Sequence, residues 1–256
     1  MISKSDIEKI KALLYEANNM AKWYRGKGLD ISYKKDKSPV TNADIAISEY
    51  LVKELSIISP NIQIISEESE YDMPVQDLFW LIDPIDGTRG YIKGDNLYTV
   101  NIGLISKNMP LYGFITIPEL DMLYYTETPQ ILKIEHSGLE VKLQKNEQLK
   151  AVISEIDHKI SMDIIAQHNI TEYEYLPGSA KFCFIASGEA DLYPRYGKTM
   201  EWDTAAGGAL INASGGIMLD FEKKVFSYGK EDLVNKGFIA YSKRLKDITF
   251  GRHSGE

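Results

Sequence analysis

Cysteine is nearly absent from this chain: Cys183 is the single example in 256 residues. That excludes an intrachain disulfide and any zinc site built on several thiolates. Histidine is also scarce, and His136, His158, His168 and His253 all stand outside the acidic segments described below. No apolar run reaches the length of a membrane span or a secretory signal core, and charges are scattered from Met1 to Lys11. Basic residues number 29 against 37 acidic ones, for a formal charge of −8. A general nucleic-acid binder needs a basic face, so that class is set aside, while a locally basic pocket for one small anion is not. These shortages predict a cytoplasmic protein in a reducing compartment, with no nucleic-acid partner and no membrane span. They leave the oligomeric state unknown.

What is present is ordinary globular material, 44% hydrophobic and 26% charged, enough for a large core. Ile7, Ile10, Leu14, Ala17, Ala21 and Tyr24 recur at helical spacing, with Ser5 and Glu8 expected as a capping box and Gly26 and Gly28 as the stop. Ser32 to Pro39 is lysine-rich without an apolar face and reads as an exposed, mobile loop. A second helix follows Thr41, then a short strand from Ile62 to Ile65 leading into Ser66-Glu67-Glu68. Residues 97–105, 111–117 and 122–126 read as an antiparallel meander. Beyond about residue 140, strand and helix alternate through 151–154, 159–168, 173–176, 179–187, 190–194 and 203–213, the pattern of an α/β unit. The expectation is an N-terminal α+β lobe over 1–138 and a C-terminal α/β lobe over 139–256, sharing one body.

The chemistry concentrates at Trp80-Leu81-Ile82-Asp83-Pro84-Ile85-Asp86-Gly87-Thr88. An apolar strand from Leu78 to Ile82 is expected to end in two carboxylates. Two like charges resist desolvation together, so one must lose its charge or a cation must sit between them. Pro84 fixes the backbone between the acids, and Gly87 allows close approach before Thr88 opens a short helix. Such a turn offers carboxylates to a cation and N–H groups to an anion. Asp44, Glu67, Glu68 and Asp203 sit at similar strand ends or helix starts. Each has a structural alternative: Asp44 completes a capping box with Thr41, the glutamates form a solvated loop, and Asp203 caps a helix. Oxygen-only donors suit Mg²⁺, Mn²⁺ or Ca²⁺; the regular calcium-loop spacing is absent, which favours Mg²⁺.

Four segments, Ser-Glu-Glu at 66–68, WLIDPIDGT at 80–88, YTVNIGLI at 98–105 and EWDTAAGG at 201–208, resemble the metal-dependent phosphatases of the inositol monophosphatase superfamily. SPVTNAD at 38–44, KFC at 181–183 and ADLYPRYGKTMEWDTAAG at 190–207 look like its bacterial branch of CysQ-type 3'(2'),5'-bisphosphate nucleotidases. The resemblance runs from about residue 5 to 240. It implies a two-lobed, sugar-phosphatase-like fold with alternating helix and sheet layers. It also implies two or three Mg²⁺ ions held by Glu67, Asp83, the Ile85 carbonyl, Asp86 and Asp203. Asp44 and Thr88 match the family's water-activating pair, with Glu68 counted beside them as catalytic. Gly87 and Thr88 match its phosphate cradle, and Lys181, Arg195 and Ser179 its contacts to a phosphorylated nucleotide.

The implied reaction is removal of the 3'-phosphate from adenosine 3',5'-bisphosphate, or from its phosphosulfate form, by metal-activated water. By residue type alone, Lys181 and Arg195 are ordinary surface cations. The sequence departs from the branch at two places. Gly178 stands where the branch has serine, with Ser179 adjacent, and Ser154-Glu155-Ile156-Asp157 replaces Ser-Arg-Ser-His. An inositol or sugar phosphate phosphatase and a non-catalytic metal or phosphate sensor stay open as alternatives.

Overall fold

A computed structural model describes residues 2–71, 73–143 and 147–251; His253 and the end of the expected C-terminal lobe lie outside them. Two helices, α1 (Lys4–Lys27) and α2 (Asn42–Ile58), cover one face of a seven-stranded sheet. Its strands, in spatial order, are Gln63–Ser66, Leu78–Asp86, Thr99–Ser106, Met109–Ile117, Met122–Thr128, Ile131–His136 and Leu139–Glu140. The first pair is parallel and the rest form the expected antiparallel meander, longer than the sequence pattern indicated. Between 78–86 and 99–106 lies α3 (Thr88–Lys93).

The C-terminal half supplies α4 (His158–Gln167), α5 (Ala180–Ser187), α6 (Ala205–Ala213) and α7 (Lys243–Phe250). Its five-stranded sheet runs 172–175, 150–153, 192–195, 238–241, 217–219, with two parallel pairs followed by two antiparallel ones. Helices α5 and α6 lie between the two sheets, where Phe182, Cys183, Ala206 and Leu210 share a core with Phe79, Leu81 and Ile115 of the first sheet and Tyr193 and Phe238 of the second. Helices α4 and α7 cover the outer face of the second sheet through Ile164, Ile165 and Leu245. The result is a stack of helix, sheet, helix, sheet and helix layers.

The middle layer sits close for a steric reason. Gly103 and Gly113 face each other across adjacent strands. A Cβ on Gly103 would stand 2.7 Å from Ala206 N, and one on Gly113 2.2 Å from Ala206 O. The glycine pair is therefore a seat for the first turn of α6, and that contact fixes the approach of the residues just before the helix.

Three local expectations change. The capping box of α1 is Ser3 with Asp6, one turn ahead of its first core residues, instead of Ser5 with Glu8. Residues 31–33 and 39–41 pair as an antiparallel hairpin, so the lysine-rich segment is an ordered turn. The strand expected to stop at Ile82 continues through Asp86.

Candidate active site

That longer strand explains how two acids three positions apart can act together. On a regular strand, residues separated by three point to opposite faces. Here Asp83 pairs with Asn101 and Asp86 with Thr99, so three steps on one strand match two on the other. The extra residue of this bulge turns both carboxylates toward one place, and Pro84 is tolerated because a bulge leaves a ladder position free. The parallel neighbour ends beside it: Ser66 pairs with Ile82, and the Glu67 amide donates to the Ile82 carbonyl at 3.1 Å. Asp203 arrives from the turn ahead of α6. Its Oδ2 accepts from the Met200 amide at 2.8 Å, and the cap position of α6 is Thr204, so Asp203 is not the helix cap.

Glu67, Asp83 and Asp203 present ligand oxygens that all lie within 4.8 Å of one another. Asp86 lies beside this triad and outside that radius. Burial pushes the carboxyl groups of Asp83 and Asp203 well above their usual range, and the neighbouring carboxylates push the same way. Glu67 is raised for the same leading reason, although Lys34 opposes it. Asp83 Oδ1 is buried without a hydrogen-bond partner. Crowded anions with an orphaned oxygen are what a hard cation bound through oxygen would relieve, so the donor set fits Mg²⁺.

Asp44 carries both readings that its sequence position allowed. Oδ2 accepts from the Thr41 amide at 2.8 Å and the Thr41 hydroxyl at 2.5 Å, completing the capping box of α2. Oδ1 accepts from the Thr88 hydroxyl at 3.1 Å, which also lies 3.0 Å from the Ile85 carbonyl. Burial raises the Asp44 carboxyl above its ordinary value despite these bonds. Gly87, the residue before α3, has φ +89°, a conformation favourable only to glycine.

The opposite wall bounds a cavity of about 180 Å³ lined by Asp86, Ser154, Gly178, Lys181, Tyr193, Arg195 and Asp203, among others. Lys181 is only 2% exposed, so it is no surface cation. Its ammonium donates to the Leu176 carbonyl at 2.8 Å and lies 5.1 Å from the Tyr193 ring centre. Burial lowers its pKa to about 7, with Asp86 opposing the shift. Arg195 donates through Nη1 to Asp157 at 2.7 Å. Ser179 does not line this cavity; its hydroxyl donates to the Asp203 carbonyl at 2.9 Å and accepts from Asn101 at 3.0 Å. Gly178 is explained by its neighbour, because a Cβ there would stand 2.8 Å from Asp86 Oδ2.

Lys34 is the main residue that sequence reasoning missed. From the turn of the 31–41 hairpin its ammonium reaches Glu67 and Glu68, at 2.6 Å each. Only its place five residues before the Pro39 strand and the run of lysines marked it, and neither distinguishes an inward lysine from an outward one.

A layered fold with an acidic cation site facing a cationic pocket defines a phosphatase class. The chain belongs to the inositol monophosphatase family, whose sequence model matches residues 4–250. Enzymes of this family are metal-dependent. The chain is 34% identical over 223 residues to the 3'(2'),5'-bisphosphate nucleotidase CysQ of Buchnera aphidicola subsp. Acyrthosiphon pisum, covering 84% of each. It is 33% identical over 222 residues to the enzyme of that name from Escherichia coli K12, covering 83% of this chain and 89% of the relative. The crystal structure of CysQ from Bacteroides thetaiotaomicron superposes with a TM-score of 0.80 at 28% identity, over 94% of this chain and 98% of that one. Among the described residues, no helix is long and apolar enough to cross a membrane.

Proposed function

We propose that this chain is a Mg²⁺-dependent phosphatase that converts adenosine 3',5'-bisphosphate and water to AMP and phosphate, and acts likewise on the phosphosulfate form. The observation that carries this reading is the carboxylate triad of Glu67, Asp83 and Asp203, the last of which also lines, with Asp86, a cavity walled by the buried Lys181 and the half-buried Arg195. The relatives named CysQ bisphosphate nucleotidase support the same substrate class.

In this reading Glu67, Asp83, Asp86, Asp203 and the Ile85 carbonyl hold two or three Mg²⁺ ions. Bound there, the metal supplies an acidified water and charge neutralisation for the transferring phosphoryl group. In this reading the Thr88 hydroxyl, within reach of both Asp44 Oδ1 and the Ile85 carbonyl, gives its proton to Asp44 Oδ1 and orients the attacking water by accepting from it on its lone pairs. Asp44, with its raised affinity for protons, is suited to take the proton passed along this pair. Glu68 shares Lys34 with Glu67 and lies near Asp44, and is assigned to the same water-handling group. Gly87 and Thr88 offer N–H groups ahead of α3 to the transferred phosphate. Lys181 and Arg195 take the second phosphate, while Ser179 holds the Asp203 backbone. The N-terminal region 1–138 thus supplies most of the cation side, and 139–256 supplies Asp203 and the substrate side.

Phosphate release from adenosine 3',5'-bisphosphate and from inositol 1-phosphate, with and without Mg²⁺, tests the reading. A Mg²⁺-dependent preference for the bisphosphate is expected. A preference for inositol 1-phosphate would select the sugar phosphatase alternative, and binding without turnover would select the sensor.

A further inference from the structure

Asp157 stands behind the cationic wall, 7% exposed, in the turn leading into α4. Both its oxygens are committed: Oδ2 accepts from Arg195 Nη1 at 2.7 Å and Oδ1 from the Gly197 amide at 3.2 Å. It therefore has no oxygen turned to a ligand, and its influence passes through Arg195. Arginine has two edges suited to paired acceptors, and engaging Nη1 leaves the Nε–Nη2 edge. Arg195 Nε is buried with no partner, and Nη2 makes no hydrogen bond with the described residues. A buried unpaired donor on a charged group is costly unless a ligand completes it. Lys181 lines the same cavity with one of its three protons engaged. Two cations side by side repel each other, and the Asp157 carboxylate offsets that repulsion from the side away from the cavity.

We propose that Asp157 is a positioning residue for the substrate's second phosphate. It holds Nη1 of Arg195 and so reserves the Nε–Nη2 edge, with Lys181 Nζ, for the anion that distinguishes a nucleoside bisphosphate from a monophosphate. The inference rests on the nucleotidase reading and deepens it. An anion taken on this edge meets two parallel N–H donors, whereas one approaching Nη1 meets the Asp157 carboxylate. Asp157 thereby sets the orientation in which the second phosphate is accepted as well as its affinity.

The test is steady-state kinetics of the Mg²⁺-loaded full chain on adenosine 3',5'-bisphosphate and adenosine 3'-phosphate, for wild type, Asp157→Ala, Asp157→Asn, Arg195→Ala and the Asp157→Ala/Arg195→Ala double variant. Asp157→Ala is expected to raise KM for the bisphosphate about tenfold or more, the scale of a charged hydrogen bond. Its kcat, and its KM for the 3'-phosphate, should stay within about twofold. The double variant should be no worse than Arg195→Ala, since Asp157 acts through that arginine. Asp157→Asn keeps an acceptor for Gly197 and removes the charge, so it carries the test if the alanine variant fails to fold. Equal losses on both substrates would reduce Asp157 to a structural pin and overturn the proposal, as would multiplying losses in the double variant. A wild type without preference for the bisphosphate over the 3'-phosphate would end the second-phosphate reading, and Asp157's role with it. A preference that survives Asp157→Asn would overturn the role of Asp157 alone.

Discussion

On the wall formed by strand 78–86 and its neighbours, Glu67, Asp83, Asp86 and Asp203 are held in mutual repulsion, and an Asp83 oxygen lacks a partner. On the facing wall, Lys181 is sunk into the protein and Arg195 is half-buried with its Nε enclosed, both with donors to spare. Each wall is unfavourable alone and favourable with a ligand of opposite charge. They differ in how they are built. The acidic wall is fixed by backbone: a bulge, a parallel strand end and a helix seated on paired glycines. The cationic wall depends on two flexible side chains and the groups that hold them, Leu176, Tyr193 and Asp157. Chemistry common to any phosphate ester belongs to the first wall, and discrimination between esters to the second.

The most damaging change should be Asp83→Asn, which weakens the cation site and leaves an amide among carboxylates. It is expected to cut Mg²⁺-dependent phosphate release by about a thousandfold or more on every phosphate ester, the scale of losing a main electrostatic stabiliser. Full activity in an assay of this variant would break the assignment of the acidic wall. Lys181→Met should do less and do it selectively: about ten- to a hundredfold lower kcat/KM on the bisphosphate, with a much smaller loss on the 3'-phosphate.

A pH profile sharpens the same division. With its pKa lowered to about 7, Lys181 is charged below that pH and neutral above it. KM for the bisphosphate should therefore rise as pH increases through about 7, and this step should be missing in Lys181→Met. The smallest effect is on stability. Burial raises the proton affinity of Asp83, Asp203 and Glu67 in the folded chain. Above the ordinary carboxylate range the folded state thus holds protons that the unfolded chain has released, and stability falls as pH rises. Calorimetry in a chelator should give a Tm a few degrees higher at about pH 5.5 than at about pH 7.5, and Mg²⁺ should shrink that gap.

The sequence makes the acidic wall readable because its oddity is local: no solvated loop explains Asp83 at the end of Trp80-Leu81-Ile82. The layer order was also legible, through helical and strand periodicities and the family resemblance. Other features depend on distant partners. Lys34 looks like its neighbouring lysines until the hairpin folds it onto Glu67 and Glu68. Asp157 appears as a departure from the family pattern, and its meaning waits on Arg195, 38 positions away. Asp203 resembled a helix cap because an acid before Thr-Ala-Ala satisfies that pattern, and tertiary position decides otherwise. The capping box of α1 was misplaced because Ser3-Asp6 and Ser5-Glu8 both fit the spacing.

Kinetics of wild type, Asp83→Asn and Lys181→Met on adenosine 3',5'-bisphosphate and adenosine 3'-phosphate, at saturating Mg²⁺, test the two-wall account most directly. The expected result is loss of both reactions in Asp83→Asn, and a loss in Lys181→Met that falls chiefly on the bisphosphate. Equal losses on the two substrates in Lys181→Met, or a loss confined to one substrate in Asp83→Asn, would contradict it.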